Sequence, residues 1–204
     1  LLVVAIGMTF VILTGGIDLS VGSVVALTTM LLAWGVQKAQ LSPFVLVPLL
    51  IVAGALFGAG MGWVIQVFQI PAFIVTLAGM FLARGLCYLV SIDSIAITEP
   101  TLTAWSQLRF PVGPLGEVSL GVVVAMGVLA VAVWLSHATP FGRAVYAVGG
   151  NERSALLMGL PVARTRIGVY ALSGGCAALG GVLFGTYTLS GRSEEHTSEL
   201  QSPL

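Results

Sequence analysis

Polar residues interrupt the apolar sequence at a short stretch near its start, between Thr14 and Ser23. Asp18 lies in this stretch among serines and glycines, and it is the only acid in the first ninety residues. A carboxylate in apolar surroundings is costly unless it is paired, so its presence indicates a function. Adjacent glycines weaken a helix, and the freed backbone groups need partners from the protein or from a watery cavity. We therefore predict a broken helix facing the interior, whose candidate residues for a translocation path are Gly15, Gly16, Asp18, Ser20 and Gly22.

Two interpretations of Asp18 follow from its position. In the first, Asp18 and Ser20 cap a helix that starts at Val21, because their side chains can accept hydrogen bonds from the free amides of a first turn. In the second, the carboxylate contacts a transported substrate directly. The two roles are compatible, and the residues leave both open.

A second polar stretch follows Gly150. Gly150 should break the backbone, Asn151 is a favourable N-cap, and Glu152 would lie in a first helical turn, where the helix dipole favours an acid. We expect a short helix with Ala155, Leu156 and Gly159 on one face, ended by Pro161. This pattern is typical of a docking element, but it also fits an amphipathic helix on the bilayer surface, with neighbouring arginines near lipid phosphates.

The sequence carries little that could catalyse a reaction. It has no phosphate-binding loop of the Gly-x-x-x-x-Gly-Lys-Ser/Thr type, so any ATP hydrolysis must occur on another chain. No cluster of histidine and carboxylate supports metal binding or acid–base catalysis, since His137 lies at the end of a predicted span and His196 in the suspect tail, residues 192–204; Cys87 and Cys176 lie in apolar segments where cysteine acts as a small hydrophobe. We expect neither an enzyme nor a cofactor, a metal, a disulfide or a nucleic acid partner.

The composition indicates what kind of protein positions these residues. Of the 204 residues, 57% are hydrophobic and only 8% are charged, and the mean hydropathy is +1.06. Soluble domains carry roughly 25% charged residues, because their surface faces water. The chain is therefore predicted to be a polytopic membrane protein.

Apolar runs long enough to cross a bilayer, roughly 20 residues each, occur six times. They are continuous, whereas the strands of a membrane barrel would alternate, so we predict an all-α transmembrane bundle. The predicted spans are 1–17, 21–36, 43–65, 70–90, 118–135 and 167–190.

The distribution of charge predicts the orientation. Residues 136–166 carry four arginines against one acid, Glu152, which places this loop in the cytoplasm by the positive-inside rule. Residues 91–117 then lie outside, and their prolines and glycines predict an irregular or briefly helical segment.

The last thirteen residues, 192–204, differ in kind from the rest. They are polar, and they closely resemble the translation of a common sequencing-adapter oligonucleotide, so we predict a non-native tail; the alternative is a native polar tail. The chain also opens inside an apolar run, and we interpret residues 1–191 as a permease domain truncated at both ends.

Three motifs resemble one family. Gly-Ile-Asp-Leu-Ser-Val-Gly-Ser at 16–23, Ile-Pro-Ala-Phe-Ile-Val-Thr-Leu-Ala-Gly-Met at 70–80 and Phe-Gly-Arg-Ala-Val-Tyr-Ala-Val-Gly-Gly-Asn-Glu at 141–152 are similar to segments of bacterial ATP-binding-cassette (ABC) sugar importer permeases. These are the importers of the ribose, xylose and galactofuranose type, and the galactofuranose permeases resemble this chain most.

The resemblance implies a location and a set of partners. It implies a multi-pass protein of the bacterial inner membrane, a separate ATPase subunit and a second permease subunit, either identical or a sister chain. It further implies a periplasmic sugar-binding protein, and it identifies the helix after Gly150 as the coupling helix that fits a groove of the ATPase.

One alternative function stays open. Broken helices at membrane depth are also typical of ion-coupled secondary transporters, in which the segment around Asp18 would hold a cation or a proton. A secondary transporter has no need of a capped cytoplasmic helix at Asn151, so this segment distinguishes the two hypotheses.

Overall fold

The computed structural model describes residues 1–111 and 116–191. The predicted tail and four residues of the predicted outer segment, 112–115, lie outside this range. The helices are α1 (Leu2–Leu13), α2 (Val21–Gln37), α3 (Pro43–Phe68), α4 (Ala72–Val90), α5 (Pro100–Gln107), α6 (Leu120–Ala138), α7 (Pro140–Gly150), α8 (Glu152–Leu157) and α9 (Val162–Thr188). The prediction of an all-α bundle is confirmed.

Two short strand pairs lie at one end of the bundle. Strands β1 (Ile95–Ala96) and β4 (Ser190–Gly191) pair in antiparallel fashion, as do β2 (Arg109–Pro111) and β3 (Glu117–Ser119). Between the pairs, α5 is the brief helix predicted for the outer segment, and the Glu99 side chain accepts a hydrogen bond from the Leu102 amide at its start. We call this the strand end of the bundle.

Among the described residues, four helices are long and apolar enough to cross a membrane: α3, α4, α6 and α9. The other two predicted spans correspond to shorter apolar helices, α1 with 12 residues and α2 with 17. At 1.5 Å per residue these helices are about 18 and 26 Å long, compared with roughly 30 Å of hydrocarbon. They are shorter than the apolar runs because the chain is non-helical between Leu13 and Val21.

Helix α9 is the central element and packs against α1, α2 and α3. Helices α3 and α9 approach closely at glycines: a Cβ atom added to Gly54 would lie 2.7 Å from the carbonyl oxygen of Gly174, and one added to Gly58 would overlap the carbonyl of Tyr170. On another side of α9, a Cβ at Gly181 would lie 2.7 Å from the carbonyl oxygen of Val25 in α2. Small residues permit such close contact between membrane helices.

The opposite end of the bundle is formed by α7, α8, the α3–α4 turn and the first turns of α9. We call it the arginine end, because it holds Arg143, Arg153, Arg164 and Arg166. Helix α7 was not predicted. It buries Val145 and Val148, and a Cβ on its Gly149 would overlap the carbonyl of Leu13, so α7 packs against the end of α1.

Candidate functional site

Helix α1 ends in a glycine-dependent turn. The Gly16 amide donates to the Val11 carbonyl at 3.0 Å and the Gly15 amide donates to the Ile12 carbonyl at 2.9 Å. This pair of bonds is the Schellman motif, which needs a left-handed residue at its turn, and Gly15 supplies it with φ +72°. The predicted helix break is confirmed, and Gly15 terminates α1 before it can continue into α2.

The next residues are non-helical, and their burial alternates along the chain. Ile17 and Leu19 are exposed, whereas Asp18 and Ser20 are 2% and 1% exposed. The segment therefore buries its two polar residues and exposes its two apolar ones. We call residues 14–20 the break segment.

Asp18 accepts three hydrogen bonds inside the bundle. Its Oδ1 accepts from the Ser20 amide at 3.0 Å and from Ser20 Oγ at 2.6 Å, and its Oδ2 accepts from Ser173 Oγ at 2.8 Å. Ser20 does occupy the N-cap position of α2, but its side chain makes no capping bond to the first turn. Ser20 thus occupies the predicted N-cap position, but the predicted capping bond is not made. Its hydroxyl donates to Asp18 instead.

The Ile17 carbonyl ties the break segment to two further helices. It accepts a hydrogen bond from Tyr170 Oη of α9 at 3.3 Å and from Thr76 Oγ1 of α4 at 3.4 Å. Ser173 lies eleven residues after the start of α9 at Val162, about 16 Å along the helix at 1.5 Å per residue. The break therefore lies well inside the bundle, near the middle of its central helix.

The five candidate path residues do not face one cavity. Gly15 and Gly16 line a cavity of about 250 Å³ on the arginine side of the break, with Gln69, Arg166 and Tyr170 on its other walls. Asp18 and Ser20 are buried in the packing around Ser173, and Gly22 is exposed at the start of α2. Within the described residues, no group of three His, Cys, Asp or Glu side chains could hold a metal ion.

Helix α8 begins as its sequence predicts. The Asn151 side chain accepts a hydrogen bond from the Ser154 amide at 2.8 Å, which is the N-cap bond. Glu152, in the first turn, pairs with Arg166 of α9, the carboxylate oxygen lying 2.7 Å from the guanidinium nitrogen. Arg166 also donates to Gln66 Oε1 of α3 at 3.3 Å. Through Arg166, α8 is therefore connected to the start of α9 and to the end of α3.

Two details predicted for α8 are wrong. Gly150 does not break the backbone, because it is the last residue of α7 and the change of direction comes at Asn151, with φ −161° and ψ 109°. Gly159 is not on a helical face either: α8 ends at Leu157, and Gly159 closes a second Schellman turn with φ +76°. The expected face of Ala155, Leu156 and Gly159 therefore does not exist.

The side chains of α8 are divided between an anchor and an exposed apolar tip. Ala155 is fully buried and packs with Val148 and Val162. The apolar tip consists of Leu156, Leu157 and Met158, which are 64%, 89% and 67% exposed. Leu157 and Met158 were not singled out from the sequence, although three consecutive apolar residues before a Schellman glycine were a usable signal.

Comparisons with known proteins identify the family of this chain. The family described as branched-chain amino acid transport system, permease component, matches residues 1–202. The chain belongs to this permease family. The inner membrane ABC transporter permease protein YjfF of Escherichia coli is 48% identical to it over 93% of this chain and 57% of its own length.

Two further relatives of the permease carry sugar names. The fructose import permease protein FruG of Bifidobacterium longum is 36% identical over 90% of this chain and 56% of its own. The ribose import permease protein RbsC of Haemophilus influenzae is 38% identical over 89% and 56%. The permease thus spans a little over half the length of these relatives. No solved structure matches it.

Family and structure agree on the location. The permease is a multi-pass protein of the bacterial inner membrane, with four helices long and apolar enough to cross a bilayer. Exposed aliphatic and aromatic side chains cover α3, α4 and α6, as expected of helices that contact lipid.

Proposed function

We propose that this chain is the transmembrane subunit of an ABC importer and forms part of the path of a monosaccharide across the inner membrane, driven by a separate ATPase. The observation that carries this proposal is the apolar tip of α8. Leu156, Leu157 and Met158 project from the arginine end, which we predict to be cytoplasmic. Consecutive apolar side chains exposed to water are typical of a protein contact.

The anchoring of α8 supports a role in transmitting force. Ala155 holds the helix against α7 and α9, and the pair between Glu152 and Arg166 ties its first turn to the base of α9. Farther along the same continuous helix, Tyr170 and Ser173 hold the break segment. A displacement of α8 by the ATPase would therefore act on the break through one rigid element.

The remaining parts of the path are assigned by the same proposal. Gly15 leaves space beside the break, while Asp18, bound by Ser20 and Ser173, stabilises it and does not contact sugar. A second permease subunit, identical or a sister chain, would complete the path, and a periplasmic binding protein would deliver the sugar at the strand end. The sugar names of FruG and RbsC support a monosaccharide; galactofuranose stays a prediction for the uptake assay.

An ion-coupled secondary transporter is not favoured. A bound cation would need the oxygens of Asp18, but both already accept hydrogen bonds in a buried setting. The matching family is a permease component of a transport system, and YjfF is an ABC transporter permease.

The experiment is a capture assay with the gene product that contains this chain, using a tagged ATPase encoded beside it. Leu157→Asp places a charge at the most exposed position of the apolar tip. If Leu157 is a central contact, its loss weakens capture by about 2 kcal/mol, roughly 30-fold, and sugar uptake falls with it. Ser154→Asp is the matched control, because it adds the same charge in the first turn, where the dipole favours it.

Membrane insertion of each variant is measured together with capture and uptake. Normal insertion with lost capture and lost uptake supports docking at α8. Normal capture by Leu157→Asp would remove the docking role from the apolar tip.

A further inference from the structure

The cavity beside the break segment has the chemistry of a sugar site. It has a volume of about 250 Å³, just below the roughly 300–1,000 Å³ of pockets for drug-sized ligands. It therefore suits a smaller molecule, such as a monosaccharide. Space is available there because Gly15 presents no side chain, and a Cβ atom added to it would meet nothing within 4 Å.

Donors and acceptors converge on the cavity from two elements, α9 and the turn between α3 and α4. Arg166 uses two of the five N–H groups of a guanidinium in its bonds to Glu152 and Gln66. Gln69 is exposed and donates Nε2 to the Gln66 carbonyl, so its Oε1 can accept. A sugar hydroxyl both donates and accepts, and this set satisfies both capacities.

The charge balance selects a neutral ligand. Arg166 supplies the positive charge of the cavity wall, and Glu152 neutralises it at 2.7 Å. A phosphate or carboxylate would have to compete with Glu152 for the guanidinium, whereas an uncharged polyol can share it. The apolar part of the wall, Ile70 and Pro71, can pack against the C–H face of a sugar ring.

We propose that this cavity binds the imported monosaccharide on the arginine side of the break segment, as its last site before release, with Arg166 and Gln69 as hydrogen-bonding partners. This inference rests on the proposed function and gives it a substrate site. Because Arg166 belongs both to the cavity wall and to the contact with α8, sugar binding and ATPase docking act on the same side chain.

The test is protection of an introduced thiol in inside-out membrane vesicles that contain the whole gene product with its ATPase. Ala72→Cys puts a thiol in the cavity wall at a residue that has no proposed contact with the sugar, and Arg164→Cys is the control at the same end, exposed and outside the wall. The native Cys87 and Cys176 are buried and should react slowly. If Ala72→Cys does not insert, Ile70→Cys replaces it.

Uptake of ribose, fructose and galactofuranose is first measured on the same membranes, and the imported sugar is the probe. At ten times its dissociation constant, that sugar should slow modification of Ala72→Cys about ten-fold by mass action and leave Arg164→Cys unchanged. If a sugar is imported but protects neither position, or both equally, this inference is overturned and the proposed function stands. If none of the three is imported, the proposed sugar function fails and takes the cavity assignment with it.

Discussion

The hydrogen bond between Ser173 and Asp18 gives the sharpest stability prediction. Ser173→Ala removes one donor from a carboxyl group that is 2% exposed, and leaves Oδ2 without the bond now made at 2.8 Å. Leaving a buried polar group unsatisfied costs about 1–3 kcal/mol. We therefore expect Ser173→Ala to lower the free energy of unfolding by that amount.

The matched control is Thr186→Val, on the same helix. Thr186 is also buried, but its hydroxyl donates to the Val182 carbonyl one turn earlier and holds no other element. The loss of such a bond should cost less than about 1 kcal/mol. Unfolding in mixed micelles can be followed by labelling the buried thiols of Cys87 and Cys176, which become reactive as the bundle opens.

A double-mutant cycle with Asp18→Ala isolates the contact. Once Asp18 is removed, Ser173 has lost its partner, so Ser173→Ala should cost almost nothing further, giving a coupling energy of about 1–3 kcal/mol. Additive costs, or equal costs for Ser173→Ala and Thr186→Val, would refute the argument that this bond holds the break segment.

Three other predictions use simpler measurements. A cysteine at Thr101 should react rapidly with an impermeant reagent added outside and one at Ser154 slowly, since four arginines place residues 136–166 inside; the reverse would overturn the orientation. Resequencing the locus should not recover the codons of residues 192–204, and their presence in an independent isolate would make the tail native. Gly15→Ala should destabilise the protein by about 1–2 kcal/mol, because φ is +72° there, whereas Gly22→Ala, at an equally open position with φ outside the left-handed region, should not; equal effects would argue against the turn.

Local features of the fold were predictable from local sequence. The spacing of Gly54 and Gly58 predicts close helix packing, and both glycines lie at the contact between α3 and α9. Asn151 predicts an N-cap, and its side chain makes that bond. In each case the physical cause lies within one turn of helix or one repeat.

The lengths of α1 and α2 needed more than hydropathy. Apolar residues continue to Ile17, so the run looks long enough to span, but the turn at Gly15 ends the helix at Leu13. Helix α7 was missed for the opposite reason, since its 11 residues are too few and too glycine-rich for a span. At α8, Gly159 was predicted to lie on a face of the helix, but its left-handed backbone conformation terminates that helix.

The partner of Asp18 lay beyond sequence reasoning. Ser173 is 155 residues away, and nothing in its own segment distinguishes it from a lipid-facing or packing serine. The cavity could not be predicted from the sequence either, because it is lined by Gly15, Gln69 and Arg166, which come from three separate parts of the chain. Single-sequence patterns identify such residues one at a time and do not show which of them meet.

The most direct test of the proposed function is the energy source of uptake. The gene product is reconstituted with its ATPase and binding protein in sealed liposomes, and sugar entry is measured with and without ATP on the ATPase side. We predict that uptake requires ATP and continues when ionophores collapse the proton and sodium gradients. Uptake without ATP that ionophores abolish would contradict the account and establish an ion-coupled transporter.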